Sequence, residues 1–212
     1  MRVYHHNIQQ AQLWPVLIAN PSSTGILQRV MRRMAHNLGN MTGRPIEIDN
    51  LRIETVPINR LKACSDNPEA EAVGIYLLIN GDLSGEAILI LSLDHAMNLV
   101  DSLLEARPGT TTRLNELECS ALSEFGNLAL SSFLNAVADL TRVSLRLSPP
   151  AIVLDTLTVI FEAVAMSALT VSDEVLIIKM GFVDWDDSLK FQFWVLPDFF
   201  TLSTGRLRCS KS

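Results

Sequence analysis

No glycine-rich phosphate loop, no cysteine pair at metal-ligand spacing and no uninterrupted membrane-length apolar run occur in this 212-residue chain. Without the loop, a nucleotide cradled through its phosphates is not the expected ligand. The cysteines Cys64, Cys119 and Cys209 are odd in number and read as reduced thiols of a cytoplasmic protein. Cys119 has no histidine near it in sequence and reads as a packed thiol rather than a nucleophile. Positive charge is also short: 17 Lys and Arg stand against 23 Asp and Glu, which excludes a nucleic-acid binder relying on a basic surface. The opening "MRVYHHNIQQAQLW" lacks the apolar segment of a signal peptide. The most apolar stretch, residues 151–171, is interrupted by Asp155 and Glu162, so it predicts a buried strand and a buried helix instead of a membrane span. No metal centre is expected. His5 and His6 are only neighbours near the N-terminus, and Asp184, Asp186 and Asp187 lack the glycine and glutamate of a calcium loop, so they read as a solvated hairpin turn. No arrangement of carboxylates suggests glycosidase chemistry.

What is present is apolar: 48% of residues are hydrophobic and 19% charged, enough for a sizeable core. Leu27, Val30, Met31, Met34 and Leu38 recur at helical spacing until "NMTGRP" stops the helix. Alternating strands follow in "IEIDNLRIETV", "GIYLLIN" and "EAILILSL", the last two joined by the turn "GDLSG". Asp94 is expected to cap the next helix, "HAMNLVDSLLEA". After the joint "RPGTTTRL" the same order returns: a long helix over about 114–140, "RVSLRL", an "SPP" break, an apolar helix, then "EVLIIKMGF" and "KFQFWVL". A repeat of roughly 100 residues predicts an α+β fold, a pseudo-symmetric two-half domain with an antiparallel sheet covered by long helices. Residues 1–22 read as an N-terminal extension and 23–205 as one domain, its halves spanning about 23–106 and 114–205.

The long helix of the second half carries an unusual polar pair. Ser120, Glu124 and Asn127 fall within about 60° of one another at 100° per residue. Glu116, Ser123 and Ser131 are read on the same side, and Leu117, Ala121, Leu122, Phe125, Leu128 and Ala129 on the opposite, core-facing arc. Gly126 is read as a gap that lets a partner's surface approach the pair. Leu130 and Leu134 are read as projecting toward the polar side, where they could join a dimer contact or touch a partner.

These residues resemble the CheC/CheX/FliY family of chemotaxis phosphatases. The family motif is Asp or Ser, three residues, Glu, two residues, Asn, twenty-two residues, Pro; Ser120, Glu124, Asn127 and Pro150 stand at those spacings. The segments "LINGDLSGEAILILSLDHAMNLVDSLL" and "FQFWVLPD" are also similar to the family's hairpin, following helix and closing strand. The first half departs from the motif. Counting back from Pro57 puts Met34 and Met31 at the Asn and Glu positions, and an alternative anchor puts Gln28 and Gly25 there. The resemblance is therefore greatest to CheC, with a single intact site.

The resemblance implies a phosphatase acting on the phosphoaspartate of a CheY-like response regulator. Asn127 would orient the attacking water and Glu124 would meet the regulator's lysine, with Ser120 supporting at the rim and Pro150 stiffening the turn. Ser123, Ser131, Gly126 and Leu130 would contact the partner. No cofactor is expected in this chain, since Mg²⁺ would come with the regulator. The alternative is a non-catalytic adaptor that binds the phosphorylated regulator, the deamidase CheD or another signalling partner. Arg29, Arg32, Arg33 and His36 cluster on one side of the first helix, either as a solvated face or as a docking surface for an acidic partner. The sequence leaves oligomeric state open.

Overall fold

Helix α1 (Pro21–Thr42) forms where Val30, Met31, Met34, Ala35 and Leu38 share one stripe, and all five are buried. It ends where Gly43 enters the left-handed region at φ 67°, a conformation glycine adopts without a Cβ clash. The computed structural model describes residues 21–64, 67–82, 85–142, 144–168, 174–184 and 189–197. His5, His6, Asp186, Asp187, Cys209 and residues 1–20 lie outside them.

Strand β1 (Ile46–Pro57) runs into a 3₁₀ helix (Ile58–Cys64), and β2 (Glu71–Gly81) and β3 (Gly85–Ser92) form the expected hairpin. Helix α2 (Leu93–Leu103) is capped by Ser92 and not by Asp94: the Ser92 hydroxyl accepts the His95 N–H at 3.3 Å, and Asp94 sits in the first turn. The linker beyond α2 wraps around the buried carboxylate of Asp101, which accepts N–H bonds from Gly109 (2.7 Å), Thr110 (3.1 Å) and Thr111 (2.9 Å). Burial pushes the Asp101 carboxyl upward, but these bonds and the Thr111 hydroxyl outweigh it and hold the group below its ordinary value.

The second half then repeats the first with α3 (Glu116–Thr141), β4 (Leu145–Leu147), β5 (Ala151–Thr156), α4 (Leu157–Ala168), β6 (Glu174–Asp184) and β7 (Lys190–Pro197). The sheet order is β1-β6-β7-β3-β2-β4, with β5 also on β2. All pairings are antiparallel. The halves interlock: β1 pairs with β6 of the other half, β4 and β5 pair with β2, and β3 meets β7 at the centre. Each half thus completes the other's sheet edge, so neither hairpin is left with both edges open.

Alternation along the strands builds two cores. Val73, Ile75, Leu77 and Leu89 point toward α1, α2 and α3, where Phe125, Phe133, Phe191 and Phe193 are buried. Ala72, Ile88, Ile90 and Trp194 point the other way, against Ile160, Phe161, Val164 and the 3₁₀ helix. Trp194 stacks on Phe161 with centroids 5.0 Å apart. On that second face Tyr76 is pushed up to about 12, first by burial and then by the Glu86 carboxylate.

Two expectations about residues 151–171 and the acidic turn are corrected. Strand β5 is an outer strand of the sheet, with Val153 and Leu154 37% and 50% exposed, so it is not buried. Among its described side chains, Ile160, Phe161 and Val164 form the buried stripe of α4, and Met166 is 68% exposed. Asp184 is not solvated: its carboxylate is buried, pairs with Arg44 at 3.3 Å and accepts the Leu189 N–H at 2.8 Å. No described helix is long and apolar enough to cross a membrane.

Candidate functional site

The polar pair stands on α3, and everything that fixes α3 fixes the pair. At its start the Glu118 carboxylate accepts the Asn115 N–H at 2.9 Å, and at its end Arg142 adopts the left-handed conformation at φ 56°. Between these ends, Leu122, Phe125, Ala129, Leu130, Phe133, Leu134 and Val137 are fully buried. Phe125 meets Phe191 edge-on at 5.7 Å and Phe133 meets Phe193 at 5.0 Å. A buried phenylalanine of this kind is worth about 3–5 kcal/mol against truncation to alanine.

Gly126 belongs to this buried face. A Cβ built there would lie 2.6 Å from Ile75 Cγ2 and 2.8 Å from Ile75 Cδ1. The glycine admits the protein's own sheet and no partner; this corrects the sequence reading and explains why a costly residue sits mid-helix. Leu130 and Leu134, expected near the polar side, are both 0% exposed and line the core. Of the three leucines expected in the core, Leu122 is buried, but Leu117 is 63% exposed and Leu128 is 36% exposed.

What remains outward is the motif. Ser120 and Glu124 are exposed, and Asn127, Ser123 and Ser131 are half-buried. Among the described residues neither Glu124 nor Asn127 has a hydrogen-bond or ion-pair partner, so a carboxylate and a carboxamide are displayed with their bonding capacity unused. Ser131 is committed locally, its hydroxyl donating to the Leu128 carbonyl at 3.3 Å. Cys119 is half-buried; burial, and then Glu118, push its thiol up, away from reactive thiolate character.

Pro150 stands in the break between β4 and β5, on the strand path beneath α3. Pro149 and Pro150 cannot donate to β2, and Ser148 takes over: its hydroxyl accepts the Leu78 N–H at 3.0 Å, and its own N–H reaches the Leu78 carbonyl at 3.0 Å. The break has a counterpart in the first half, where β1 shifts register between Ile48 and Asn50.

The helix ends set the register between the halves. Gly43 and Arg142, the left-handed residues ending α1 and α3, are 99 positions apart (142 − 43), as are the starts of β1 and β4 (145 − 46). This offset superposes buried on buried: Val30, Met31, Met34, Ala35 and Leu38 match Ala129, Leu130, Phe133, Leu134 and Val137. It places Gly25 opposite Glu124 and Gln28 opposite Asn127, both exposed, and assigns Met31 and Met34 to the core. The first half therefore offers a carboxamide without a carboxylate.

The arginine cluster divides. Arg29 and Arg33 line a cavity of about 510 Å³ between α1 and α3 with Asn37, Asn135 and Asp139, whereas Arg32 and His36 face a separate depression near Arg44. Among the described residues no three His, Cys, Asp or Glu side chains gather as a metal site.

A family profile described as "CheC-like family" matches residues 117–154, the span that contains the whole Ser120–Pro150 motif. The resemblance is to the CheC-like family. The chain is 24% identical over 169 residues to the CheY-P phosphatase CheC of Bacillus subtilis, covering 78% of this chain and 81% of that protein. Its fold is similar to that of FliY from Thermotoga maritima, with a TM-score of 0.63 at 18% identity over 88% of this chain and 95% of that one. It is also similar to a chain of the FliG-FliM complex from H. pylori, with a TM-score of 0.57 at 10% identity over 87% of this chain and 99% of that one. In this chain α1 and α3 lie over one sheet, and among the described residues only α3 presents the acid–amide pair.

Proposed function

We propose that this CheC-like chain is a phosphatase that hydrolyses the phosphoaspartate of a CheY-like response regulator by lending it Glu124 and Asn127. One observation carries the reading: a carboxylate and a carboxamide, three residues apart and without a partner among the described residues, stand outward on a helix whose opposite face is fully buried. The similarity to a CheY-P phosphatase over most of the chain supports it.

Hydrolysis of an acyl phosphate needs little covalent chemistry from a helper. The transition state is loose, and positioning and charge lower its energy. In this reading the regulator contributes its own Mg²⁺ and lysine, and the missing element is a water held in line with the leaving carboxylate. Asn127 suits that task because a carboxamide both accepts from and donates to water without adding charge beside the phosphoryl oxygens. Glu124 makes a charge-assisted contact with the regulator's lysine, which fixes the register of docking. Ser120, short and exposed one turn earlier, leaves room at the rim. A helix pinned by glycine-to-isoleucine contact suits such a site, since placement errors near 1 Å cost about 100-fold in rate.

A second reading is a binding role without catalysis, involving CheD or another signalling partner. The fold shared with FliY and with the FliG-FliM complex, and the missing carboxylate in the first half, favour it. Phosphate release from a purified phosphorylated CheY-type regulator separates the two. The phosphatase reading expects acceleration by the natural chain, loss of kcat in Asn127→Ala and a raised KM in Glu124→Ala. Binding of the phosphorylated regulator without acceleration would instead establish the second reading.

A further inference from the structure

Two leucines read on the core-facing arc are exposed instead, and both lie in line with Glu124. Leu117 is seven residues before it and Leu128 four residues after it, so at 100° per residue the three side chains fall within a stripe about 40° wide. The stripe runs about 16 Å along α3. Single exposed leucines are ordinary on a protein surface; two that bracket a free acid–amide pair are a pattern. Building on the proposed phosphatase reading, we infer that Leu117 and Leu128 are the apolar anchors that seat the phosphorylated regulator, packing on apolar surface beside its phosphoaspartate pocket and so selecting which regulator is dephosphorylated.

The molecule supplies its own comparison. At the 99-residue offset (128 − 29) the first-half counterpart of Leu128 is Arg29, which is exposed, beside Gly25 and Gln28. The half that keeps the acid–amide pair keeps an apolar neighbour, and the half that lost the acid carries a cation there. An arginine facing the regulator's lysine and metal would be repelled; a leucine contributes burial without charge. Leu117 and Leu128 also flank the pair at both ends, and apolar contact surrounding a polar centre excludes water from it. They are positioning residues. They act on the encounter and not on the phosphoryl group.

The test uses the full chain and a CheY-type regulator phosphorylated with acetyl phosphate, with KM and kcat read from phosphate release and affinity from a fluorescence titration. Leu117→Ser and Leu128→Ser should each raise KM and Kd about tenfold with kcat kept, and the double variant about a hundredfold. Leu128→Met should retain affinity. Leu154→Ser, at a 50% exposed leucine on the outer strand β5, should change neither constant. Unchanged KM and Kd in the double variant overturn the inference, as does an equal effect of Leu154→Ser. A loss of self-association in step with the KM change, seen by sedimentation, also overturns it by assigning the leucines to a second copy of this chain. If the natural chain binds the phosphorylated regulator without accelerating phosphate release, the phosphatase reading fails, while the Kd series still decides the anchors. Absence of both binding and acceleration sinks both.

Discussion

Gly126→Ala is the sharpest probe of how the site is held. The added methyl would lie 2.6 Å from Ile75 Cγ2, 2.8 Å from Cδ1 and 3.1 Å from Cβ, where ordinary contact begins near 3.4 Å. Ile75 is itself buried in β2, and its branched Cβ cannot swing both methyls away. The helix must therefore lift from the sheet by several tenths of an ångström or more. Overpacking of this kind costs about 1–3 kcal/mol, and the better helix propensity of alanine returns roughly 1 kcal/mol. Because the clash reaches the strand's own Cβ, the upper part of that range applies, and the net loss should be about 1–2 kcal/mol. For a chain of this size that lowers Tm by about 2–8 °C. Urea unfolding measures the loss, and phosphate release should fall with it as Asn127 is displaced. The Ile75→Ala background supplies the control: with both methyls gone, Gly126→Ala should become neutral or stabilising, a coupling of about 1–3 kcal/mol. If Gly126→Ala by itself stabilises the protein, the close-packing account is wrong and the glycine serves something other than helix–sheet contact.

Asp101→Asn should cost about 2–3 kcal/mol by weakening three N–H bonds to a buried carboxylate. Since the folded-state carboxyl titrates below its unfolded value of about 3.9, its stabilisation is complete above that pH and is lost as pH falls through the lower folded value; urea unfolding between pH 2 and 6 should show this slope in the natural chain and not in the variant. Gly25→Glu with Gln28→Asn should rebuild an acid–amide pair on α1, where a Cβ at Gly25 meets nothing within 4 Å. Helix propensity gained at Gly25→Glu is partly given back at Gln28→Asn, so the variant should be no less stable than the natural chain, with a net gain of at most about 0.5 kcal/mol. In an Asn127→Ala background it should restore phosphate release, more so when Arg29→Leu is added; no restoration would mean that the first-half face cannot seat a regulator.

The sequence by itself determined the elements and their order. Helical spacing in Val30, Met31, Met34 and Leu38, the Gly43 stop and the "GDLSG" hairpin were legible because each depends on neighbours within a few residues. The Ser120–Pro150 spacing made the candidate pair legible for the same reason, and its outward direction follows from the helical period. The structure alone decided which face of α3 was buried at its margins. The helical period by itself puts Leu117 and Leu128 beside Glu124, but it also puts Leu134 near Asn127, and only the position of β2 beneath the helix and α1 beside it makes Leu130 and Leu134 core. Gly126 was misread because a glycine in a helix looks the same whether an own strand or a foreign surface approaches it. The first-half register was ambiguous for a related reason: prolines anchor it poorly, whereas the two left-handed helix ends and matched burial fix it. The sequence writes local periodicity and spacing, which short-range backbone physics obeys. Which apolar side chain is covered depends on contacts between residues far apart in the chain, and the interlocked sheet sets those.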